Sequence, residues 1–183
     1  LVGAEVCQHG AVPTPNSHHL DPAVLADLRQ TLVAHGYTVD AVLAAIGPTA
    51  HAALGRNSTV PAVRALADRD DPLATLIRLW PLQRAIAYPA ATKALPRLVE
   101  PLEAAGILAV DLSAGQVRAT VDLRPYAADD RDLLVFSDLT PGLDTRTAPM
   151  RPDFVLGVSS ASSTLAQLTI RRPVGAALDL GTG

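Results

Sequence analysis

The sequence is poor in cysteine, and this absence already excludes some classes of protein. Cys7 is the only cysteine among 183 residues. One cysteine cannot form an internal disulfide and cannot build a cysteine-based zinc site. Disulfide-stabilised secreted domains are therefore excluded, and because nothing indicates an oxidising compartment, we expect a cytoplasmic protein.

Long apolar runs and charged residues are also scarce. No stretch reaches the roughly 18 consecutive apolar residues of a membrane helix, so we expect no membrane-spanning segment. Residues 1–20 lack the basic start of a signal peptide and are predicted to be a disordered leader. With 49% hydrophobic and 18% charged residues and a net charge of -3, most of the remaining chain is expected to fold.

Residues 21–106 predict a series of short helices. Asp21 and Pro22 are typical of a helix start, and Gly36 of a helix end. The next helix is predicted from Thr38 to a terminator at Gly47-Pro48. Three further stretches predict helices: one beginning at Ser58 or Thr59, one from Asp71-Pro72 to Pro81, and one that carries Leu95, Leu98, Val99 and Leu102 and ends at Gly106.

The pattern changes after this helical region. From Val117 to Arg124 apolar and polar residues alternate, which predicts a half-buried strand with Asp122 and Arg124 on its solvent side. Residues 107–112 are the expected partner strand, so 107–124 should form a hairpin. Helices followed by a hairpin indicate a winged-helix-like unit.

The next residues contain two loops and one strand. Residues 125–132 are rich in aspartate and predict a polar loop, and Leu133 to Phe136 predict a strand. We assign residues 21–140 to a helical, winged-helix-like N-terminal domain. Residues 141–153 contain three prolines and are the expected linker.

Residues 154–183 differ in character from what precedes them. A short apolar segment, Phe154 to Val158, is followed by a predicted helix at 159–170 and a predicted strand that ends at Leu180. Asp179, Gly181 and Gly183 then place an acidic residue and two glycines at alternate positions. Glycines after a parallel strand allow a tight turn and close approach of the backbone to a nucleotide-like ligand. An ordinary glycine turn explains the same residues about as well.

In this context the C-terminal residues resemble the entrance to a class I S-adenosylmethionine-dependent methyltransferase. More narrowly, the chain is similar to actinobacterial small-domain and release-factor-glutamine methyltransferases. Arg124-Pro125-Tyr126 and the segment from Leu133 to Leu139 fit the N-terminal region of that family. The resemblance implies an α+β chain, in which the winged-helix-like domain precedes the start of a Rossmann-like domain at 154–183.

The resemblance also implies a cofactor and its ligands. Asp179, Gly181 and Gly183 match the part of the motif that binds S-adenosylmethionine, and no residue matches a catalytic motif. We therefore expect a substrate-recognition and support portion of a methyltransferase that is inactive alone and does not bind the cofactor alone. A protein or structured-RNA acceptor is implied, and the incomplete sheet could allow self-association.

A non-enzymatic binding or regulatory module is the alternative interpretation. Autonomous DNA binding is not expected, because Lys93 to Arg124 contain four basic and four acidic residues, and residues 125–158 contain three basic and six acidic ones. No metal site is predicted, since His35 and His51 lack partners at ligand spacing. Ser162, Ser163 and Thr164 could line a substrate entrance, although helix capping explains them equally well.

Overall fold

The structure is a computed structural model that describes residues 20–128, 131–145, 154–169 and 172–176. It is a mixed α+β fold with two small antiparallel sheets, which confirms the predicted fold class. In chain order the elements are α1 (Pro22–Ala34), α2 (Val39–Leu54), α3 (Val60–Ala65), α4 (Pro72–Leu79), β1 (Ile86–Ala87), α5 (Tyr88–Ala94), α6 (Val99–Ala104), β2 (Leu108–Asp111), β3 (Gln116–Ala119), β4 (Val121–Ala128), β5 (Arg131–Asp138), a 3-10 turn (Leu143–Thr145) and α7 (Ser160–Leu168).

The predicted helix starts at Asp21, Thr38 and Asp71 are confirmed. Each side chain accepts a hydrogen bond from a free amide of the first turn: Ala23 at 2.7 Å, Ala41 at 3.3 Å and Ala74 at 3.1 Å. A donor that would otherwise lack a partner is thereby satisfied in α1, α2 and α4.

Helix α2 does not end at Gly47-Pro48 as predicted. The chain leaves helical geometry at Gly47, where φ is 78° and ψ is 167°, and then resumes a helix that continues to Leu54. Proline has no N–H to lose at the first position of a helix, so Pro48 begins the second half as readily as it ends the first. The dipeptide is therefore a kink within α2.

The helix predicted around Leu95 and Leu98 is shorter than expected. Both residues precede α6, which begins at Val99. Proline disfavours helical geometry in the residue before it, and Leu95, before Pro96, has φ -130° and ψ 65°. Leu95, Leu98 and Val99 are nevertheless buried, because their apolar side chains pack into the core from a turn.

The strand predicted at 117–124 belongs to two different sheets. Strand β3 lies between β1 and β2 in a three-stranded sheet, and the β2–β3 hairpin confirms the first part of the predicted hairpin. Thr120 is the last residue that bonds towards β2: its N–H donates to the Ile107 carbonyl at 3.0 Å. The chain then continues as β4, and among the described strands its partner is β5.

The prediction of a polar loop at 125–132 is wrong. Strand β4 continues to Ala128 and β5 begins at Arg131, so strands flank residues 129–130, and the strand predicted at Leu133 to Phe136 lies within β5. Pairing of Tyr126 with Leu133 extends the ladder through the aspartate-rich segment. Pro125 is tolerated because β4 pairs on one side only. We call this pair of strands the β4–β5 ribbon.

The core lies between the helices and the three-stranded sheet. Trp80 is fully buried, and its ring centroid lies 6.1 Å from that of Tyr37. The ribbon is fixed to this core by the buried side chains of Val121 and Leu123, and by the Tyr37 hydroxyl, which donates to the Leu123 carbonyl at 2.7 Å.

The C-terminal residues confirm one predicted element. Ser159 caps helix α7, since its Oγ accepts from the Ser162 amide at 3.2 Å. Residues 174–176 are not in a strand, and the rest of the predicted strand lies outside the described residues. Among the residues that the structure describes, no helix is long and apolar enough to cross a membrane.

Candidate functional site

A cleft of about 350 Å³ lies between the β4–β5 ribbon, the turn after α2 and the residues that follow β5. Aliphatic and polar side chains both line it, and polar groups that converge within a partly apolar cleft are typical of ligand sites. The residues that line it are Leu54, Gly55, Asn57, Asp122, Arg124, Pro125, Tyr126, Val135, Ser137, Thr140, Leu143, Leu156, Gly157, Val158 and Ser159.

Asp122 is the buried polar group of the cleft. Its side chain is 3% exposed and accepts from Arg124 Nε through Oδ2 at 2.7 Å. Thr140 Oγ1 donates to the same oxygen at 3.3 Å, and Arg124 Nη2 donates to Thr140 Oγ1 at 3.2 Å. The prediction that Asp122 faces solvent is wrong, because the chain after β5 folds back over this side of β4.

The electrostatics of the cleft follow from this burial. Burial raises the pKa of Asp122, while Arg124 and the hydrogen bond from Thr140 act in the opposite direction. Burial also raises the pKa of Tyr37 well above its ordinary value, and the Asp122 carboxylate adds to this rise. Among the described residues, Asp122 Oδ1 is buried and has no hydrogen-bond partner.

A second cluster of polar side chains lies beside the cleft. Asp144 accepts from the Thr59 amide at 2.7 Å and also from the Thr59 hydroxyl. Arg84 Nη2 donates to Asp144 Oδ2 at 2.5 Å and to Thr59 Oγ1 at 2.5 Å. The Asp144 amide donates to the Asn57 carbonyl at 2.7 Å. We call Thr59, Arg84 and Asp144 the Asp144 cluster. Its hydrogen bonds connect the residues after β5 to the start of α3.

Three arginines line another cleft, of about 450 Å³, but two of them have structural partners. Arg78 Nη2 donates to the carbonyls of Leu66 and Arg69, and Arg84 belongs to the Asp144 cluster. Only Arg64 has no side-chain bond to the described residues. The bonds of Arg78 and Arg84 support the fold.

In the part of the chain that the structure describes, we find no arrangement of side chains that would bind a metal ion. No group of three or more histidine, cysteine, aspartate or glutamate side chains is placed to hold a metal ion there. His35 lies at the end of α1 and His51 in the second half of α2, so the two imidazoles belong to separate elements.

The predicted site residues fall into two groups. Asp179, Gly181 and Gly183 lie outside the described residues. Ser162, Ser163 and Thr164 lie in α7, and Ser163 Oγ is 3.3 Å from the Tyr126 hydroxyl. Tyr126 lines the cleft, so α7 reaches its rim through Ser163.

Asp122 and Asp144 were not predicted as members of polar clusters. A weak signal for Asp122 exists in the chain: Arg124 follows two residues later, and side chains at this spacing share one face of a strand. No local sequence pattern indicated a role for Asp144, because its partners Thr59 and Arg84 are distant in sequence.

One family model matches the chain, with the description "Domain of unknown function (DUF7059)", over residues 34–120. No curated protein and no solved structure matches. The matched segment is slightly less than half of the chain. It extends from the end of α1 through β3 and stops just before β4, so Asp122, Arg124 and Thr140 lie outside it.

Proposed function

We propose that this chain is the N-terminal substrate-recognition and support portion of an S-adenosylmethionine-dependent methyltransferase that acts on a protein or RNA acceptor. The chain alone is inactive and does not hold the cofactor. The proposal combines the resemblance at Asp179, Gly181 and Gly183 with the order of the elements between Pro72 and Ala119. That order of elements is the observation that supports a role in substrate recognition.

The order of the elements from α4 to β3 supports a winged-helix-like interpretation. Helix α4 leads to β1, then to the pair α5 and α6, and then to the β2–β3 hairpin. Strand β1 lies beside β3 and not beside β2, so the hairpin extends from a small sheet next to a helix pair. Helix α6 and the hairpin are the two parts with which such units contact their partners.

Charge favours a protein acceptor over a nucleic-acid duplex. Helix α6 exposes Glu100 and Glu103 and carries no basic residue. Carboxylates at this position would lie against phosphates in a duplex complex, where basic residues are needed. The segment 72–119 as a whole has only a small basic excess, with five basic and three acidic residues. We accordingly do not propose autonomous DNA binding.

The alternative function is a non-enzymatic binding or regulatory module. The location of the described cleft favours this alternative, because residues upstream of Asp179 form its lining. Asp122, Arg124 and Thr140 make their contacts without any residue of the glycine motif. A module of this kind would need no cofactor.

Methyl transfer from tritiated S-adenosylmethionine tests the proposal. The purified 183-residue chain and the product of the uninterrupted reading frame are each incubated with total cellular protein and RNA. We expect incorporation only with the longer product, and loss of the label on protease treatment but not on ribonuclease treatment. Methylation by the 183-residue chain alone would contradict the proposal, and label in RNA would contradict the preference for protein.

A further inference from the structure

The cleft of about 450 Å³ brings together three arginines from different parts of the chain. Arg64 lies on α3, Arg78 on α4 and Arg84 just before β1. The residues that line this cleft, which we call the arginine cleft, are Val60, Val63, Arg64, Arg78, Arg84 and Ala85. Arginine combines an apolar stem with a charged head, so the cleft offers both apolar contact and guanidinium donors.

Two of the three guanidinium groups are held in place and still reach solvent. Arg78 Nη2 donates to the carbonyls of Leu66 and Arg69, whereas its Nε and Nη1 make no hydrogen bond to the described residues, and neither atom is buried. Arg84 binds Asp144 through Nη2, and its side chain is 38% exposed. Side chains that are already ordered lose little conformational entropy when they bind a ligand.

The arginine cleft carries more positive charge than its contacts neutralise. The Asp144 carboxylate compensates Arg84. Arg78 binds backbone carbonyls, and Arg64 is exposed without a side-chain hydrogen bond or ion pair to the described residues. Arg64 and Arg78 thus have no carboxylate partner in the described part of the chain, so the cleft attracts an anionic group.

The surroundings of the arginine cleft favour a short acidic ligand over a nucleic acid. The loop whose carbonyls bind Arg78 also carries Asp68 and Asp70, and both aspartates are exposed. Their carboxylates would repel the phosphates of a strand that extends beyond the cleft. None of the described residues that line the cleft is aromatic, so nucleobases would find no stacking surface there.

Two exposed valines favour a ligand that also has an aliphatic part. Val60 is 48% exposed and Val63 is 37% exposed. They are three residues apart on α3 and therefore share one side of the helix. A ligand that covers them removes apolar surface from water while its anionic group contacts the arginines. A peptide segment with a carboxylate next to an aliphatic side chain has both parts.

We propose that the arginine cleft binds an acidic segment of a protein partner, in which an aspartate or glutamate lies next to an aliphatic residue. The carboxylate accepts hydrogen bonds from Arg64 and Arg78, and the aliphatic side chain lies against Val60 and Val63. The site includes no residue of α6 or of the β2–β3 hairpin. It goes beyond the proposed methyltransferase role and does not depend on it.

The test is an NMR titration of the ¹⁵N-labelled chain with the blocked peptide acetyl-Leu-Glu-Leu-Glu-amide. In the control peptide glutamine replaces each glutamate, so the two peptides differ in charge and hardly in shape. We expect saturable shifts of the Val63 and Ala85 amides, which belong to the cleft, and about tenfold weaker binding of the control, as for hydrogen bonds to a charged group. Binding of the glutamate peptide should also weaken as the salt concentration rises.

A pair of arginine variants places the binding in the cleft. Arg64→Gln should weaken binding of the glutamate peptide, and because Arg64 has no side-chain bond to the described residues, the fold should not change. Arg29→Gln is the matched control, since Arg29 is an exposed arginine on α1 that does not line the arginine cleft. It removes the same charge and should leave the affinity unchanged. The dispersion of the amide spectrum verifies that each variant is folded.

Four results would overturn the proposal. They are equal binding of the two peptides, no shifts at the cleft, equal effects of the two arginine substitutions, and tighter binding of oligothymidylate than of the glutamate peptide at the same amides.

Discussion

At the scale of single residues, three aspartates differ in how deeply their ion pairs are buried. The side chain of Asp71 is 39% exposed, that of Asp144 is 18% exposed and that of Asp122 is 3% exposed. Exposed pairs contribute little to stability, whereas the loss of one partner of a buried pair leaves an uncompensated charge. The three sites should therefore respond differently to substitution and to pH.

Replacement of Asp144 should destabilise the fold. Asp144→Asn keeps an acceptor for the Thr59 amide but removes the negative charge that Arg84 contacts. Asparagine tolerates the left-handed geometry of this position, where φ is 52°, so the backbone should not change. We expect the free energy of unfolding in urea to fall by about 1–3 kcal/mol.

Asp68→Asn serves as the matched control for this prediction. Asp68 is exposed, and its replacement should change the free energy of unfolding by less than about 0.5 kcal/mol. If both variants unfold at the same urea concentration as the unmodified chain, the Asp144 cluster does not stabilise the fold.

Asp71 should contribute to stability in a pH-dependent way. Hydrogen bonds from the Arg69 side chain and the Ala74 amide lower the pKa of Asp71 to about 2 from an ordinary value of 3.8. A lowered pKa in the folded state means that the contribution is present above about pH 4 and is lost as the pH falls towards 2. Asp71→Asn, which keeps a helix-capping side chain, should therefore lower the melting temperature at neutral pH but not near pH 2.

Melting temperatures of the unmodified chain and the variant at about pH 5, 3.5 and 2 measure this difference. We expect the two values to converge as the pH falls. A difference that stays constant across the range would mean that the ionised form of Asp71 contributes nothing.

At the scale of elements, the kink in α2 depends on a glycine. Gly47 has φ 78° and ψ 167°, a region that is essentially restricted to glycine, and nothing lies within 4 Å of an added Cβ. Gly47→Ala should therefore cost about 1–3 kcal/mol of unfolding free energy through backbone strain alone.

Gly175→Ala is the control for Gly47, because an added Cβ at Gly175 also meets open space and its φ is not positive. This variant should leave the urea midpoint nearly unchanged. An unchanged midpoint for Gly47→Ala as well would show that α2 can straighten at no cost.

The sequence predicted those elements whose signals are local. Asp21, Thr38 and Asp71 are capping residues next to apolar periodicity, and helices begin at each of them. The division at Thr120 was not predictable, because one alternating pattern continues from β3 into β4 while the pairing partner changes. Strand pairing is a contact between distant residues, and alternation reports only which face is buried.

The candidate site was less predictable than the helices. Alternation placed Asp122 on the solvent side of its strand, which would hold only if nothing covered that face. The cover comes from Thr140 and the residues that follow, and no periodic pattern specifies where they lie. The expectations for Asp179, Gly181 and Gly183 stay predictions.

At the scale of the whole molecule, the described chain has two regions with different relationships to known sequences. Residues 34–120, matched by the family model, contain most of the helices and the three-stranded sheet. The β4–β5 ribbon and α7 follow this match, and the cleft lined by Asp122 lies between the two regions, because Leu54 belongs to the matched segment. In the proposed function, the first region recognises the acceptor and the second leads into the cofactor-binding motif.

Isothermal titration of S-adenosylmethionine into this chain, and in parallel into the product of the uninterrupted reading frame, tests the central claim most directly. We expect binding to the longer product only, because a glycine motif without the rest of its sheet cannot enclose the cofactor. Binding to neither polypeptide would contradict the methyltransferase assignment and favour the non-enzymatic module.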